Sequence, residues 1–183
     1  MGLYELHSRH LIYRDLKPEN ILLQNDMAFV KLGDFGFTKK VQPQDRTFTF
    51  CGTPEYMAPE VINYKAGYGP SVDWWALGVI VHYMLTLEEP LQHDTIVDLL
   101  RGSAERANKV TRARISLEIG AAARSLVGSL LSFDPSTRLG TVGGAAEVQA
   151  HPFFASVDWT KLRTLRLPPP LQTLVLPVAQ PKF

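Results

Sequence analysis

Two polar runs separated by a short hydrophobic segment constrain this chain more than any other feature. The first run, Tyr13-Arg14-Asp15-Leu16-Lys17-Pro18-Glu19-Asn20, puts a carboxylate and a carboxamide five residues apart with an ammonium group between them. The second run, Asp34-Phe35-Gly36, brings another carboxylate fourteen residues later. Between the runs, Ile21-Leu22-Leu23 and Phe29-Val30-Lys31-Leu32 predict a short hairpin that turns through Gln24-Asn25-Asp26.

The groups in these two runs suit the transfer of a phosphoryl group. That reaction needs a base near the attacking hydroxyl, a cation beside the transferring phosphate and oxygen ligands for Mg²⁺. Chance assembly of a polar loop is the alternative, and Asp-Phe-Gly on its own is a weak signal. The eight ordered positions, the interval to Asp34 and the later Ala58-Pro59-Glu60 make chance a poor explanation.

Length, charge and cysteine content exclude several other classes of protein. The 183 residues suit one domain or one large lobe of a bigger domain. With a net charge of +1, the chain has no nucleic-acid or membrane footprint. The longest apolar stretch, Trp74–Leu87, contains His82 and is too short to span a bilayer, so we predict a buried core helix. The single Cys51 fits a reducing compartment, which predicts a cytoplasmic protein without a membrane span.

Apolar spacing gives a coarse map of the remaining elements. Residues 1–9 predict the last turns of a helix, and the segment from Gly36 to Met57 predicts an extended surface loop. Further helices are predicted at four places: a capped, mostly apolar helix from Ser71, then Asp94–Arg101, Ala121–Phe133 and Ala145–Ala150. The fold class predicted is α+β, mostly α-helical with a small β-hairpin region at a cleft.

The sequence resembles the large lobe of a serine/threonine protein kinase of the AGC group, and among these it is most similar to the cyclic-nucleotide-dependent kinases. The resemblance covers Leu11–Glu60 and Asp73–Trp159. Its motifs are Tyr13-Arg14-Asp15, Asp34-Phe35-Gly36-Phe37, Thr49-Phe50-Cys51-Gly52-Thr53-Pro54-Glu55-Tyr56, Val72-Asp73-Trp74-Trp75-Ala76-Leu77-Gly78, Arg138-Leu139-Gly140 and His151-Pro152-Phe153-Phe154. It implies a protein-kinase-like fold in which residues 1–154 form the C-terminal lobe, truncated at its N-terminus, and residues 155–183 begin an AGC-type tail.

The resemblance assigns roles to the polar residues of the two runs. Asp15 would accept or orient the proton of the substrate hydroxyl, although a solvated loop aspartate is the simpler alternative. Lys17 would neutralise the γ-phosphate of ATP. Asn20 and Asp34 would supply oxygens to Mg²⁺. Leu22 would form the floor beneath adenine, and a leucine in the core of a strand is equally consistent with the sequence.

Thr53, Glu19 and Tyr83 bear on the choice of cofactor and substrate. Thr53 resembles the residue that bridges the catalytic aspartate and lysine, and its hydroxyl is typical of serine/threonine specificity. Glu19 is assigned to the cofactor site, and basophilic relatives also use it, with a second glutamate, to bind a substrate arginine. Tyr83 stands at that second position here, which leaves arginine preference open. Glu88 and Glu89 are the candidates to compensate.

Thr49 matches the phosphorylation site of the activation loop, where an upstream kinase would act. A phosphate there would pair with Arg14 and Lys39 and order the loop, and the alternative is an unmodified, solvated threonine.

Three more residues match structural positions of the family. Glu60 and Arg138 match a glutamate–arginine pair that ties the loop to the helical lobe. Asp73 matches an aspartate that holds the backbone of the catalytic loop, and N-capping of its helix is a second role that is compatible with the first.

The sequence also departs from the family. No Gly-x-Gly-x-x-Gly loop or Val-Ala-Ile-Lys strand occurs in the 183 residues, and the cluster at Gly140, Gly143 and Gly144 has the wrong spacing for a phosphate loop. We therefore expect a fragment of an ATP- and Mg²⁺-dependent kinase that acts on protein substrates. A regulatory domain or subunit linked to cyclic nucleotides is an expected partner. The alternative is an inactive, lobe-only binding module that docks kinase substrates or regulators.

Overall fold

Helices dominate the described part of the chain, and two short antiparallel strand pairs lie among them. The computed structural model describes residues 2–23, 30–91, 93–102, 105, 107–109, 111, 115, 119–164 and 166. The helices are α1 (Gly2–His7), α2 (Pro59–Ile62), α3 (Ser71–Thr86), α4 (His93–Leu100), α5 (Ala121–Leu130), α6 (Gly144–Gln149) and α7 (Trp159–Arg163). The strands are β1 (Leu11–Ile12), β2 (Ile21–Leu23), β3 (Val30–Leu32) and β4 (Lys39–Lys40). This arrangement confirms the predicted α+β class and the positions of the predicted helices. In this described part, α3 begins without the predicted side-chain cap, and the helix from Ala121 ends at Leu130 and not at Phe133.

The core of the molecule is built around α3. Trp75 and Val79 are completely buried, and Gly78 lets α5 approach closely, since a Cβ atom there would lie 2.8 Å from the Leu130 Cβ. A helix that is apolar on all sides is stable only when it is surrounded by protein. The predicted core helix is therefore confirmed as far as its central turns.

The C-terminal end of α3 contradicts the prediction that the whole apolar stretch is buried. Met84 is 66% exposed and Leu87 is 78% exposed. The helix leaves the core after His82 and ends where Leu87 adopts a left-handed conformation with φ 59°. Hydrophobicity alone could not show where the surrounding protein ends.

The two strand pairs, β2–β3 and β1–β4, include the segments just before and just after Asp34. Strands β2 and β3 form the predicted hairpin, with Ile21 opposite Leu32, while its predicted turn at Gln24-Asn25-Asp26 lies outside the described residues. Strand β1 pairs with β4, a pairing that the sequence did not predict.

The segment predicted as an extended loop between Gly36 and Met57 is therefore more ordered than expected. It contains β4, a bridge between Thr47 and Tyr68, and a 3₁₀ turn at Pro54–Tyr56. Its backbone groups need partners, and these pairings supply them. Among the described helices, none is both long and apolar enough to cross a membrane.

Candidate active site

A buried carboxylate at the start of α3 holds the first polar loop. Asp73 is 1% exposed, and its two oxygens accept hydrogen bonds from the backbone N–H groups of Tyr13 (2.9 Å) and Arg14 (2.8 Å). The His7 ring nitrogen Nε2 lies 2.8 Å from the same carboxylate. These three contacts compensate the cost of burying the charge. Within the described residues α3 begins without a side-chain cap, so Asp73 holds the loop and does not cap its own helix.

Asp15 lies at the centre of a network that joins two distant segments. Its Oδ1 accepts a hydrogen bond from the Thr53 hydroxyl at 3.0 Å. Its Oδ2 lies 3.0 Å from the Lys17 ammonium and 2.9 Å from the Asn20 amide nitrogen. The Lys17 ammonium also donates to the Thr53 hydroxyl at 3.0 Å. Since Asp15 is 4% exposed, bulk water does not solvate its carboxylate, and these donors hold it in one orientation.

The carboxamide of Asn20 is oriented by the same network. Its nitrogen donates to the Asp15 backbone carbonyl at 2.8 Å and to Asp15 Oδ2 at 2.9 Å, which uses both N–H groups. The oxygen of Asn20 is therefore the atom left for another ligand. The Gly33 N–H donates to the Asn20 carbonyl at 2.8 Å and brings the following residue, Asp34, to this edge of the loop.

Asp34 and Asn20 are the two residues that the sequence assigns to Mg²⁺, and Asp34 lies at the exposed side of the loop. Asp34 is exposed, with φ 43°, and its Oδ1 accepts a hydrogen bond from the Gly36 N–H at 3.0 Å. In the part of the chain that the structure describes, no group of three or more histidine, cysteine, aspartate or glutamate side chains could hold a metal. Mg²⁺ is commonly bound by one or two carboxylates together with water and phosphate oxygens, and this donor set suits that mode.

An exposed apolar surface lies beside these polar groups. Leu22 is 52% exposed and packs over Gly33, where a Cβ atom would be 2.9 Å from the Leu22 Cδ1. Leu22 is therefore not a core residue of the described part. Leu23, Val30, Phe35 and Phe37 are also exposed. Exposed apolar side chains of this size occur at binding sites and interfaces.

Tyr13 connects the first loop to the second. Its hydroxyl donates to the Gly33 carbonyl, and its ring meets the Phe35 ring edge-on at 5.7 Å. Burial, followed by the charges of Asp15 and Asp34, raises the pKa of Tyr13 to about 12. The hydroxyl therefore remains a donor at any physiological pH.

Thr49 is exposed, and the two residues predicted to bind its phosphate, Arg14 and Lys39, form hydrogen bonds with other residues. Arg14 Nε donates to the Phe37 carbonyl at 2.6 Å, and the Lys39 ammonium donates to the Thr47 hydroxyl at 3.0 Å. Both cations thus lie along the same segment as Thr49. Each is held by a neighbouring residue and not by the Thr49 side chain.

Glu60 and Arg138 form a bidentate ion pair. The distances are 2.5 Å from Nη1 to Oε1 and 2.9 Å from Nη2 to Oε2. Arg138 also donates to the backbone carbonyls of Ser71 and Ser132, each at 3.0 Å, and lies over the Trp75 ring. The arginine side chain is fully buried, so this pair joins the segment before α3 to the segment after α5.

Acidic groups gather around Tyr56. Burial, followed by the charges of Glu19 and Glu89, raises the pKa of Tyr56 to about 12, and Tyr83 contributes in the same direction. Glu19 itself is exposed on the 3₁₀ turn Pro18–Asn20. Glu19 and Glu89 therefore both act electrostatically on Tyr56.

Sequence reasoning missed two residues that organise this region, His7 and Tyr68. His7 bonds to Asp73, and Tyr68, which is 1% exposed, donates its hydroxyl to the Thr49 carbonyl at 2.5 Å. Arg14 Nη1 donates to the same Tyr68 hydroxyl at 3.4 Å. Neither residue has a local signal, because each acts on a partner that is far away in the chain.

Comparisons with known proteins agree with this arrangement. The protein kinase domain family model matches residues 1–154. The chain is 43% identical over 169 residues to the human cAMP-dependent protein kinase catalytic subunit PRKX, covering 91% of this chain and 44% of that protein. It is 42% identical over 165 residues to the cAMP-dependent protein kinase catalytic subunit of Dictyostelium discoideum, covering 88% and 24%. It is 41% identical over 177 residues to ribosomal protein S6 kinase alpha-4 of Mus musculus, covering 94% and 22%. The chain thus spans less than half the length of these relatives.

Proposed function

Because the chain belongs to the protein kinase domain family, we propose that it provides the large lobe of an ATP- and Mg²⁺-dependent serine/threonine protein kinase. Residues 1–154 would form that lobe, and residues 155–183 would begin the C-terminal tail. The observation that carries the proposal is the network in which Lys17, Asn20 and Thr53 hold the Asp15 carboxylate. A binding protein that does not catalyse a reaction has no chemical need to bring these four side chains together.

The proposed chemistry follows from the placement of these groups. Asp15 would accept the proton of a serine or threonine hydroxyl as that oxygen bonds to the γ-phosphorus. Lys17 would neutralise charge on the transferring group, and Asn20 and Asp34 would hold Mg²⁺. ATP would supply the phosphoryl group and leave as ADP. Thr53 would keep Asp15 and Lys17 in register and lie close to the substrate hydroxyl.

We also propose that phosphorylation of Thr49 by an upstream kinase stabilises the surrounding segment. A phosphate adds nearly two negative charges and would attract Arg14 and Lys39 away from their present neutral partners. Two relatives are named as catalytic subunits of cAMP-dependent protein kinase, and these names support a cyclic-nucleotide-linked regulatory partner.

A lobe-only binding module is the second candidate. Such a module would dock substrates or regulators without transferring phosphate.

One experiment separates the two candidates. The chain would be joined to the small lobe of the human relative PRKX, and phosphate transfer from ATP to a serine-containing protein would be measured. Asp15→Asn should abolish transfer, while Asp94→Asn, an exposed carboxylate on α4, should leave it unchanged. Transfer that survives Asp15→Asn would refute the proposed role. A fusion that is folded, binds substrate and never transfers phosphate would favour the binding module.

A further inference from the structure

An open recess of about 510 Å³ lies between β4 and the segment that follows it. Its lining contains no residue of the loop 13–20, and it shares with the candidate active site only Lys39, the predicted partner of a Thr49 phosphate. The lining residues are Lys39, Lys40, Val41, Gln42, Gln44, Asp45, Arg46 and Phe48. Neither the sequence motifs nor the family comparison assigns a function to Lys40, Arg46 or Phe48.

The recess carries an excess of positive charge. Lys39, Lys40 and Arg46 contribute three cations, and Asp45 contributes one carboxylate, which leaves a formal excess of two positive charges. In the described part of the chain, neither Lys40 nor Arg46 forms an ion pair, and both are exposed. Lys39 uses one N–H on the Thr47 hydroxyl at 3.0 Å, and an ammonium group has two more to donate.

The backbone around the recess is held in place before any ligand binds. β4 pairs with β1, and the Val41 N–H donates to the His10 carbonyl at 2.9 Å. On the other side, Thr47 and Tyr68 exchange two backbone hydrogen bonds of 2.9 Å. Because the backbone of both walls is hydrogen-bonded, little backbone entropy remains to be lost there when a ligand binds.

The charge and size of the recess select one class of ligand. An excess of two positive charges matches a phosphate dianion better than a single carboxylate. A volume of about 510 Å³ is far larger than one oxoanion needs and falls in the range of sites for larger ligands. The exposed ring of Phe48 offers apolar contact at the rim.

We propose that this recess binds a phosphorylated serine or threonine side chain on a peptide segment of a partner protein. Lys40 and Arg46 provide the main contacts to the phosphate, and Phe48 contacts the neighbouring peptide. The proposal does not depend on phosphate transfer, because binding is measured without ATP or Mg²⁺.

The test uses the full 183-residue chain and a fluorescein-labelled glycine–serine peptide with one central phosphoserine. Fluorescence anisotropy should show binding of this peptide and much weaker binding of the unphosphorylated peptide. The double change Lys40→Gln with Arg46→Gln should weaken binding by at least about tenfold. The matched change Lys65→Gln, at an exposed lysine outside the recess, should leave the affinity unchanged.

A third variant distinguishes binding in the recess from general attraction to a basic protein. Asp45→Asn removes the one carboxylate of the lining and should tighten phosphopeptide binding severalfold. Equal affinity in wild type and in the Lys40, Arg46 and Asp45 variants would overturn the proposal. Inorganic phosphate that competes at the same concentration as the phosphopeptide would show that a free oxoanion is the ligand and overturn the peptide assignment. Tighter binding of heparin than of the phosphopeptide, retained in the double variant, would also overturn it.

Discussion

Removing Arg138 should destabilise the fold, because its fully buried guanidinium group donates four hydrogen bonds. Arg138→Met keeps the length and the apolar contact with Trp75 but takes away every donor of the guanidinium group. The Glu60 carboxylate, whose side chain is only 11% exposed, then keeps a single donor at 3.4 Å, the Ser71 hydroxyl. The carbonyls of Ser71 and Ser132 each lose the N–H group that now lies 3.0 Å away.

The magnitude follows from these losses. Breaking a buried ion pair by removing one partner typically costs about 3–5 kcal/mol. A typical domain has only about 5–15 kcal/mol of stability, so the loss is a large fraction of the total. The double change Glu60→Leu with Arg138→Met removes the stranded charge as well. It should be less destabilised than Arg138→Met alone, with a residual cost of about 1–3 kcal/mol from carbonyls without donors.

Urea unfolding followed by tryptophan fluorescence would measure these free energies in a double-mutant cycle. The control is Lys161→Met at the exposed Lys161–Asp158 pair, which should unfold at the same urea concentration as wild type. A double variant less stable than Arg138→Met would refute the reasoning, because it would show that the lone carboxylate was not the source of the loss. So would an Arg138→Met protein as stable as the Lys161→Met control.

Three more predictions follow from other features. Leu87→Gly should raise the free energy of unfolding by about 1 kcal/mol, since Leu87 has φ 59°, and Leu87→Ala, which retains the strain, should not. If the proposed kinase function holds, Tyr83→Glu in the fusion with a small lobe should sharpen selection for a substrate arginine by about tenfold on a peptide array; strong selection in wild type that the change leaves unaltered would mean that Glu89 already suffices. Folding raises the pKa values of Tyr13 and Tyr56 from 10.0 to about 12, so it favours their neutral hydroxyls. The resulting stabilisation is fully present below pH 10 and should disappear as the pH rises from 10 to about 12. In urea titrations at pH 9 and 11, Tyr56→Phe should therefore lose less stability than wild type.

The groups around Asp15 were predictable because most of them lie in one ordered run. Spacing within the run placed Lys17 and Asn20 close to Asp15, and a resemblance of motifs added Thr53 from a second segment. The hairpin that leads to Asp34 was predictable from apolar runs that flank a polar turn. For these residues, local order in the sequence was enough.

Other features were hidden because their causes lie far away in the chain. β4 consists of two lysines, which have low strand propensity, and it pairs with β1 only because the backbone groups of both segments need partners. The Tyr68 hydroxyl donates to the Thr49 carbonyl from another segment, and no periodic pattern in the sequence predicts this contact. The apolar run of α3 gave the helix but not the point at which Met84 and Leu87 emerge from the core.

The contacts of Asp73 set the order in which the protein can be assembled. Its three partners, His7, Tyr13 and Arg14, precede it by 66, 60 and 59 residues. At a synthesis rate of about 5–20 residues per second, the loop leaves the ribosome roughly 3–12 seconds before its anchor does. During that interval the loop cannot be held in its final shape, because the carboxylate that binds its two amides does not yet exist. The loop carrying Asp15 therefore cannot reach its final shape until Asp73, at the start of α3, has been synthesised.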